Sequence, residues 1–254
     1  MIPIAIAFIV FVCVFAGALL GMGMRERLPA EHLSDSAKDV IRLSMGLVAT
    51  MTALVLGLVI AAAKNSYDTQ DDAVRHSAAK ILLLDRMLAN YGPEADGARA
   101  FLKELIAARV AAIWPEGHPS RGRLLDMPEV TFATHTMETS ILQLAPRNEA
   151  QRWLQSQALR IGAEISETRW LVLAQARSAI PVPFLVVVVF WLTVLFASFG
   201  LFAPRNGTVV GALLVCAVSV GAAMFLILEL DGPFQGLIRV SGAPMRYALA
   251  HLGQ

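Results

Sequence analysis

Charge is what this chain has least of. Asp, Glu, Lys and Arg together make up 16% of its residues, against about a quarter in an average soluble domain. Hydrophobic residues reach 56% and the mean hydropathy is +0.60. That balance excludes an ordinary water-soluble domain and points to a lipid bilayer as the chain's first partner. The formal net charge is +1 and no block of Lys and Arg occurs, so nothing electrostatic recommends nucleic acid as a partner. Cysteine is almost absent. Cys13 and Cys216 both lie inside apolar runs, where a thiol serves as a small hydrophobe, and neither a disulfide framework nor a thiolate metal site is indicated.

Catalytic signatures are missing as well. His32, His76, His118, His135 and His251 are scattered. The nearest approaches to ligand pairs, His135 with Glu138 and His118 with Glu116, do not make a metal set. No Gly-rich phosphate loop, nucleophile elbow or HExxH stretch occurs. Asp68, Asp71 and Asp72 lack the glycine and closing glutamate of a calcium loop, and read as a solvated helix face. The chain therefore reads as a non-enzyme for which no cofactor and no metal is implied.

What is present is four uncharged runs: Ile2–Met24, Leu43–Ala63, Ser178–Pro204 and Asn206–Leu228. At about 1.5 Å per residue, roughly 20 residues cross the hydrocarbon core. Backbone groups in lipid need internal partners, so each run is read as a transmembrane helix. The first run competes with a signal peptide ending at Ala16-Gly17-Ala18, but that reading needs a basic start and a shorter apolar core. Between the pairs lie residues 64–177, water-compatible and helix-patterned. The expected fold is an all-α integral membrane protein. Residues 1–63 form a first transmembrane pair, 64–177 a central extramembrane helical bundle, 178–230 a second transmembrane pair and 231–254 an interfacial C-terminal segment.

The second span carries a stripe of small and polar residues. Gly46, Thr50, Ala53, Gly57, Ala61 and Lys64 recur at spacings of four, three, four, four and three, which puts them on one helical face. Two explanations compete. Small side chains let helices approach closely, or the stripe lines a narrow pore with the Thr50 hydroxyl inside and Lys64 at its mouth. Both hold at once if the close contact is between subunits.

No Gly or Pro interrupts the chain from Ala61 to Asn90, so this helix is expected to run out of the bilayer with a seam of Tyr67, Val74, Ala78, Ile81 and Leu88. Asp71 and Asp85 break that seam, which suits a bundle wall better than a long coiled coil. Tyr91-Gly92-Pro93 ends it. Further amphipathic helices are expected over residues 94–113, 130–144 and 148–177. Pro181 and Pro183 reset the chain before the third span, whose bulky surface reads as featureless. Asn206-Gly207 predicts a tight turn that makes the third and fourth spans antiparallel neighbours.

The fourth span runs into Glu229-Leu230-Asp231-Gly232-Pro233-Phe234-Gln235-Gly236. Carboxylates at a helix C-terminus oppose its dipole. Either these two acids sit in the aqueous interface, or Glu229 and Asp231 form a cation site or pair with a basic residue at a membrane mouth, Lys64 and Arg177 being nearest by topology.

The stretch from Leu230 through Gly232, Pro233, Phe234 and Gly236 to Ser241, with Pro244 beyond, resembles the signature of a bacterial membrane family labelled bestrophin-like. The two-plus-two spans around a helical middle are similar too. The resemblance implies a homo-oligomeric anion channel in the bacterial inner membrane, with inorganic ions as its cargo. The chain departs from true bestrophins in lacking their acidic calcium-binding cluster and the aromatics expected at a pore neck, since no aromatic lies between Leu43 and Ala63. Anion selectivity and calcium gating therefore do not carry over. Short-flank charges are nearly balanced between the two orientations, and the resemblance places the helical domain in the cytoplasm. The alternative function is a non-transporting scaffold or sensor whose helical domain binds a protein partner.

Overall fold

The structure, a computed structural model, describes residues 2–25, 27, 35–115, 136–175, 180–204, 206–232, 234 and 236–254. Among the described residues every regular element is a helix, and none is a strand. In chain order the helices are α1 (Ile2–Met24), α2 (Asp35–Tyr91), α3 (Asp96–Ile113), α4 (136–142), α5 (Glu149–Gln175), α6 (Val182–Phe202), α7 (Gly207–Asp231) and α8 (Ala243–His251). Four of them are long and apolar enough to cross a membrane: α1, α2, α6 and α7. The chain divides into two compact units. One comprises Met1–Ser66 with Ser178–Asp231, and the other Tyr67–Arg177 with Gly232–Gln254.

In the first unit α1 is the central element. Val10, Val14 and Ala18 of α1 are buried against Val188, Leu192 and Phe196 of α6 and Ala217 and Met224 of α7. A smaller cluster joins Val59 and Ala63 of α2 to Ile180 and Ile227. The α1–α6 crossing is made by backbone on backbone. A Cβ on Gly21 would fall within 2.8 Å of the Ala197 carbonyl carbon, and one on Gly200 within 2.9 Å of that of Ala18. With no hydrophobic drive between helices in lipid, such contact supplies the dispersion that holds them. Arg25 extends the same pairing by donating to the Ala203 carbonyl at the end of α6, 2.7 Å away. The small-residue contact thus lies on the first and third spans, where Gly17 and Gly21 stand four apart. The third span, expected to be featureless, contributes Thr193, Ala197 and Gly200 to it. Asn206 serves as a helix cap, its side chain accepting from the Val209 amide at 2.8 Å.

In the second unit the outer part of α2 forms one wall. Val74, Ala78, Ile81, Leu84, Leu88 and Tyr91 are buried with Ala98, Leu102, Ile106 and Val110 of α3, and with Met137, Ile141, Ala158 and Ile161. Gly92, at φ +123°, stops α2 ahead of Pro93. Asn148 starts α5 by accepting from the Gln151 amide at 2.8 Å, while the Gln151 side chain donates to the Tyr91 carbonyl at 2.9 Å and so closes the end of α2. The expected helices over 130–144 and 148–177 fall partly on residues outside those described.

Asp85, which interrupts the apolar seam in sequence, is buried within this core at 5% exposure. Arg99 meets it with a two-toothed grip at 3.0 and 3.1 Å, and the Gly253 amide donates to it at 3.3 Å. The segment expected at the membrane interface packs into the same core through Val240, Met245, Ala248 and Leu252. Its apolar residues recur at helical spacing, and the bundle offers them a face to cover.

Candidate functional site

The small-residue stripe of α2 has a definite environment in the first unit. Gly46, Thr50, Ala53, Gly57, Ala61 and Lys64 are all exposed. A Cβ at Gly46 or Gly57 would meet nothing within 4 Å. The opposite face of the same helix holds the buried Thr52, Val59 and Ala63. Beside the stripe runs a third face of exposed bulky residues, Leu43, Leu47, Leu54 and Leu58. One helix therefore presents a packed face, a bulky open face and a small open face.

Hydroxyls on α2 bond back to the helix. Thr50 donates to the Gly46 carbonyl at 3.0 Å and Thr52 to the Val48 carbonyl at 2.7 Å. That satisfies the hydroxyl hydrogen in an apolar setting. At the Arg42 end of α2, an open groove of about 400 Å³ lies against α6, lined by Arg42, Met45, Gly46, Ala49, Phe199 and Phe202.

The C-terminal cluster splits between the units. In the first, Glu229 is 3% exposed and Asp231 half-buried, and both are engaged by neighbours, as is Lys64. Glu229 is thus not a solvated helix end. Arg177, the other expected partner, and Pro233 lie outside the described residues.

In the second unit the rest of the motif is a strap on the bundle. Gly236 adopts φ +103°, a conformation that disfavours side chains, and its carbonyl accepts from Arg239 Nε at 2.7 Å. Tyr67 donates its hydroxyl to the Arg239 carbonyl at 3.2 Å, and Trp114 donates its indole N–H to the Val240 carbonyl at 3.0 Å. The Trp114 ring then lies so close to Gly242 that a Cβ there would come within 2.7 Å of it. Phe234 packs against the same core. Gly232, Phe234 and Gly236 are half-buried. Part of what makes this stretch distinctive in sequence is therefore the holding of backbone to bundle.

Sequence reasoning missed two charged features of the second unit. One is the Asp85–Arg99 pair, in which the Asp85 carboxylate raises the Arg99 pKa by hydrogen bonding. The other is Arg109 of α3, whose guanidinium is pushed down to about 10 by burial and by the like charge of Arg169. Neither follows a motif. A charged residue inside an otherwise apolar helical period was the available signal for Asp85. Among the described residues no group of three His, Cys, Asp or Glu is placed to hold a metal ion; His118, His135 and Glu116 lie outside them.

Comparison with known proteins agrees with this architecture. The chain is similar in fold to a crystal structure of a bacterial bestrophin homolog from Klebsiella pneumoniae carrying a mutation, with a TM-score of 0.67 at 13% identity over 96% of this chain and 97% of that one. No curated protein matches the sequence. The family model described as the bestrophin-like domain matches residues 12–245. By that match, over nearly its whole length, the chain belongs to the bestrophin-like family.

Proposed function

We propose that this protein is one subunit of a homo-oligomeric, ion-conducting pore in the bacterial inner membrane, with the stripe of α2 facing the permeation axis and the helical unit on the cytoplasmic side. The observation that carries the reading is the exposure of Gly46, Thr50, Ala53, Gly57 and Ala61 beside an equally exposed row of leucines. Lipid rewards the leucine row, since side-chain bulk fills the space between acyl chains. It gives nothing to a face with no bulk, where each missing group forfeits dispersion contacts. Subunits grouped around an axis give that face a use. Small side chains leave the lumen open, and Thr50 offers an oxygen to water or a passing ion. Membership of the bestrophin-like family supports the same reading, as does the fold shared with a bestrophin homolog. Lys64, at the end of the stripe, places a positive charge at one mouth of the pore.

The test is electrical. Purified protein in planar bilayers conducts, and Thr50→Trp, which puts an indole on an open face without disturbing the packed one, abolishes the current while the oligomer still elutes intact. Absence of conductance from the natural protein under every ionic gradient and voltage overturns the proposal. So does undiminished current through an intact Thr50→Trp oligomer.

A further inference from the structure

Among the described residues of the second unit, the half-buried Arg109 is provided for differently from the paired cations around it. Arg99 has its carboxylate in Asp85, and Lys80 and Arg160 share Glu164 at 3.4 and 3.2 Å. Arg109 is half-buried and forms no hydrogen bond or ion pair with any described residue. It lines a partly open cavity of about 40 Å³ whose walls are otherwise mostly apolar, with Ile81, Leu105, Ile106, Met137 and Leu159 among them. Glu138 reaches the same cavity without pairing with Arg109. The charge that acts on Arg109 is a like one, Arg169 on α5.

A desolvated guanidinium facing another cation is doubly unfavourable. Burial removes hydration, and the repulsion adds to it where water no longer screens. The pKa falls to about 10 for these two reasons, yet the group stays protonated at neutral pH. A bound anion reverses both penalties at once.

We propose that this cavity binds a small inorganic anion, held by the Arg109 guanidinium in the positive field that Arg169 reinforces. Size restricts the ligand. One water needs about 10–15 Å³ of such space, so 40 Å³ holds a halide-sized ion and a water. The apolar walls favour weakly hydrated ions such as bromide over strongly hydrated ones. The site lies in the helical unit, so it is independent of whether the membrane helices conduct.

The experiment uses the full-length protein in detergent and bromide as the probe. Thermal unfolding is followed as sodium bromide replaces sodium gluconate at fixed ionic strength. The natural protein gains stability saturably with bromide. Arg109→Leu weakens that response about tenfold or more, as expected when a charged hydrogen bond is lost, whereas Arg152→Gln, at an exposed position of α5, leaves it unchanged. Anomalous scattering from bromide-soaked crystals of the natural protein places a peak in the cavity, which keeps the test open if Arg109→Leu does not fold. Equal unfolding in both salts, an undiminished response in folded Arg109→Leu, or water alone in the cavity at saturating bromide overturns the proposal.

Discussion

Gly21 is the position where a single methyl group separates two opposing effects. Replacing a helix-interior glycine with alanine favours the helix by about 1 kcal/mol, through backbone entropy alone. At Gly211 on α7 nothing lies within 4 Å of the new Cβ, so Gly211→Ala is expected to stabilise by up to that amount. At Gly21 the same methyl falls within 2.8 Å of the Ala197 carbonyl carbon and 3.0 Å of the Leu201 amide nitrogen. These are backbone atoms of α6, so no rotamer change absorbs the clash. The helices must separate by something on the order of 1 Å, which loosens contacts along the whole crossing. Overpacking of this kind costs about 1–3 kcal/mol, with rigid backbone favouring the upper end. Gly21→Ala should therefore be destabilising by about 1–2 kcal/mol net of the entropy gain. Gly200→Ala opens the same crossing from the other side, against Ala18. Once the helices have parted, the second methyl costs less, so the double variant should fall short of additivity by about 1 kcal/mol. Reversible unfolding by SDS in mixed micelles measures all four variants against the natural protein. The reasoning fails if Gly21→Ala matches Gly211→Ala, or if the two crossing variants add.

Other expectations concern the helical unit. Asp85→Leu leaves the half-buried Arg99 with only the distant Asp96 carboxylate at 3.9 Å and should cost about 3 kcal/mol in thermal unfolding, while Asp85→Leu with Arg99→Met recovers most of it; a double variant no better than the single one speaks against the pair as the cause. Glu164 is held below its usual 4.5 by hydrogen bonds from Lys80 and Arg160. A depressed carboxylate stabilises the folded state at pH values above its unfolded pKa and loses that effect as pH falls through the folded one. Glu164→Gln should thus lie below the natural protein in melting temperature at pH 7, with the gap closing as the pH drops below 4.5, and a pH-independent gap contradicts this. Trp114→Phe removes the indole N–H that holds the Val240 carbonyl and should cost about 1 kcal/mol. Its local mark is faster amide exchange over residues 237–252, and unchanged exchange there refutes the strap.

How much of this was open to a reader of the sequence depends on the range of the interaction concerned. Four long helices follow from uncharged runs, because lipid offers the backbone no partner but itself. The reach of α2 to Tyr91 follows from the absence of Gly and Pro before Gly92, and the buried side of α3 from its helical period. These are properties of neighbours within a few turns. The small-residue face of α2 was legible as a stripe, but its exposure was not, since periodicity groups residues without saying what they meet.

Only the tertiary structure could decide pairings between distant segments. It set Gly17 and Gly21 against Thr193, Ala197 and Gly200, although the small residues of α2 stood out more in the sequence. It gave Asp85 its partner in Arg99 and left Arg109 facing a cavity. It also drew the last helix into the bundle core. Local patterns fix which face of a helix is apolar, small or charged. What that face touches depends on how the helices cross, and no spacing along one chain contains that information.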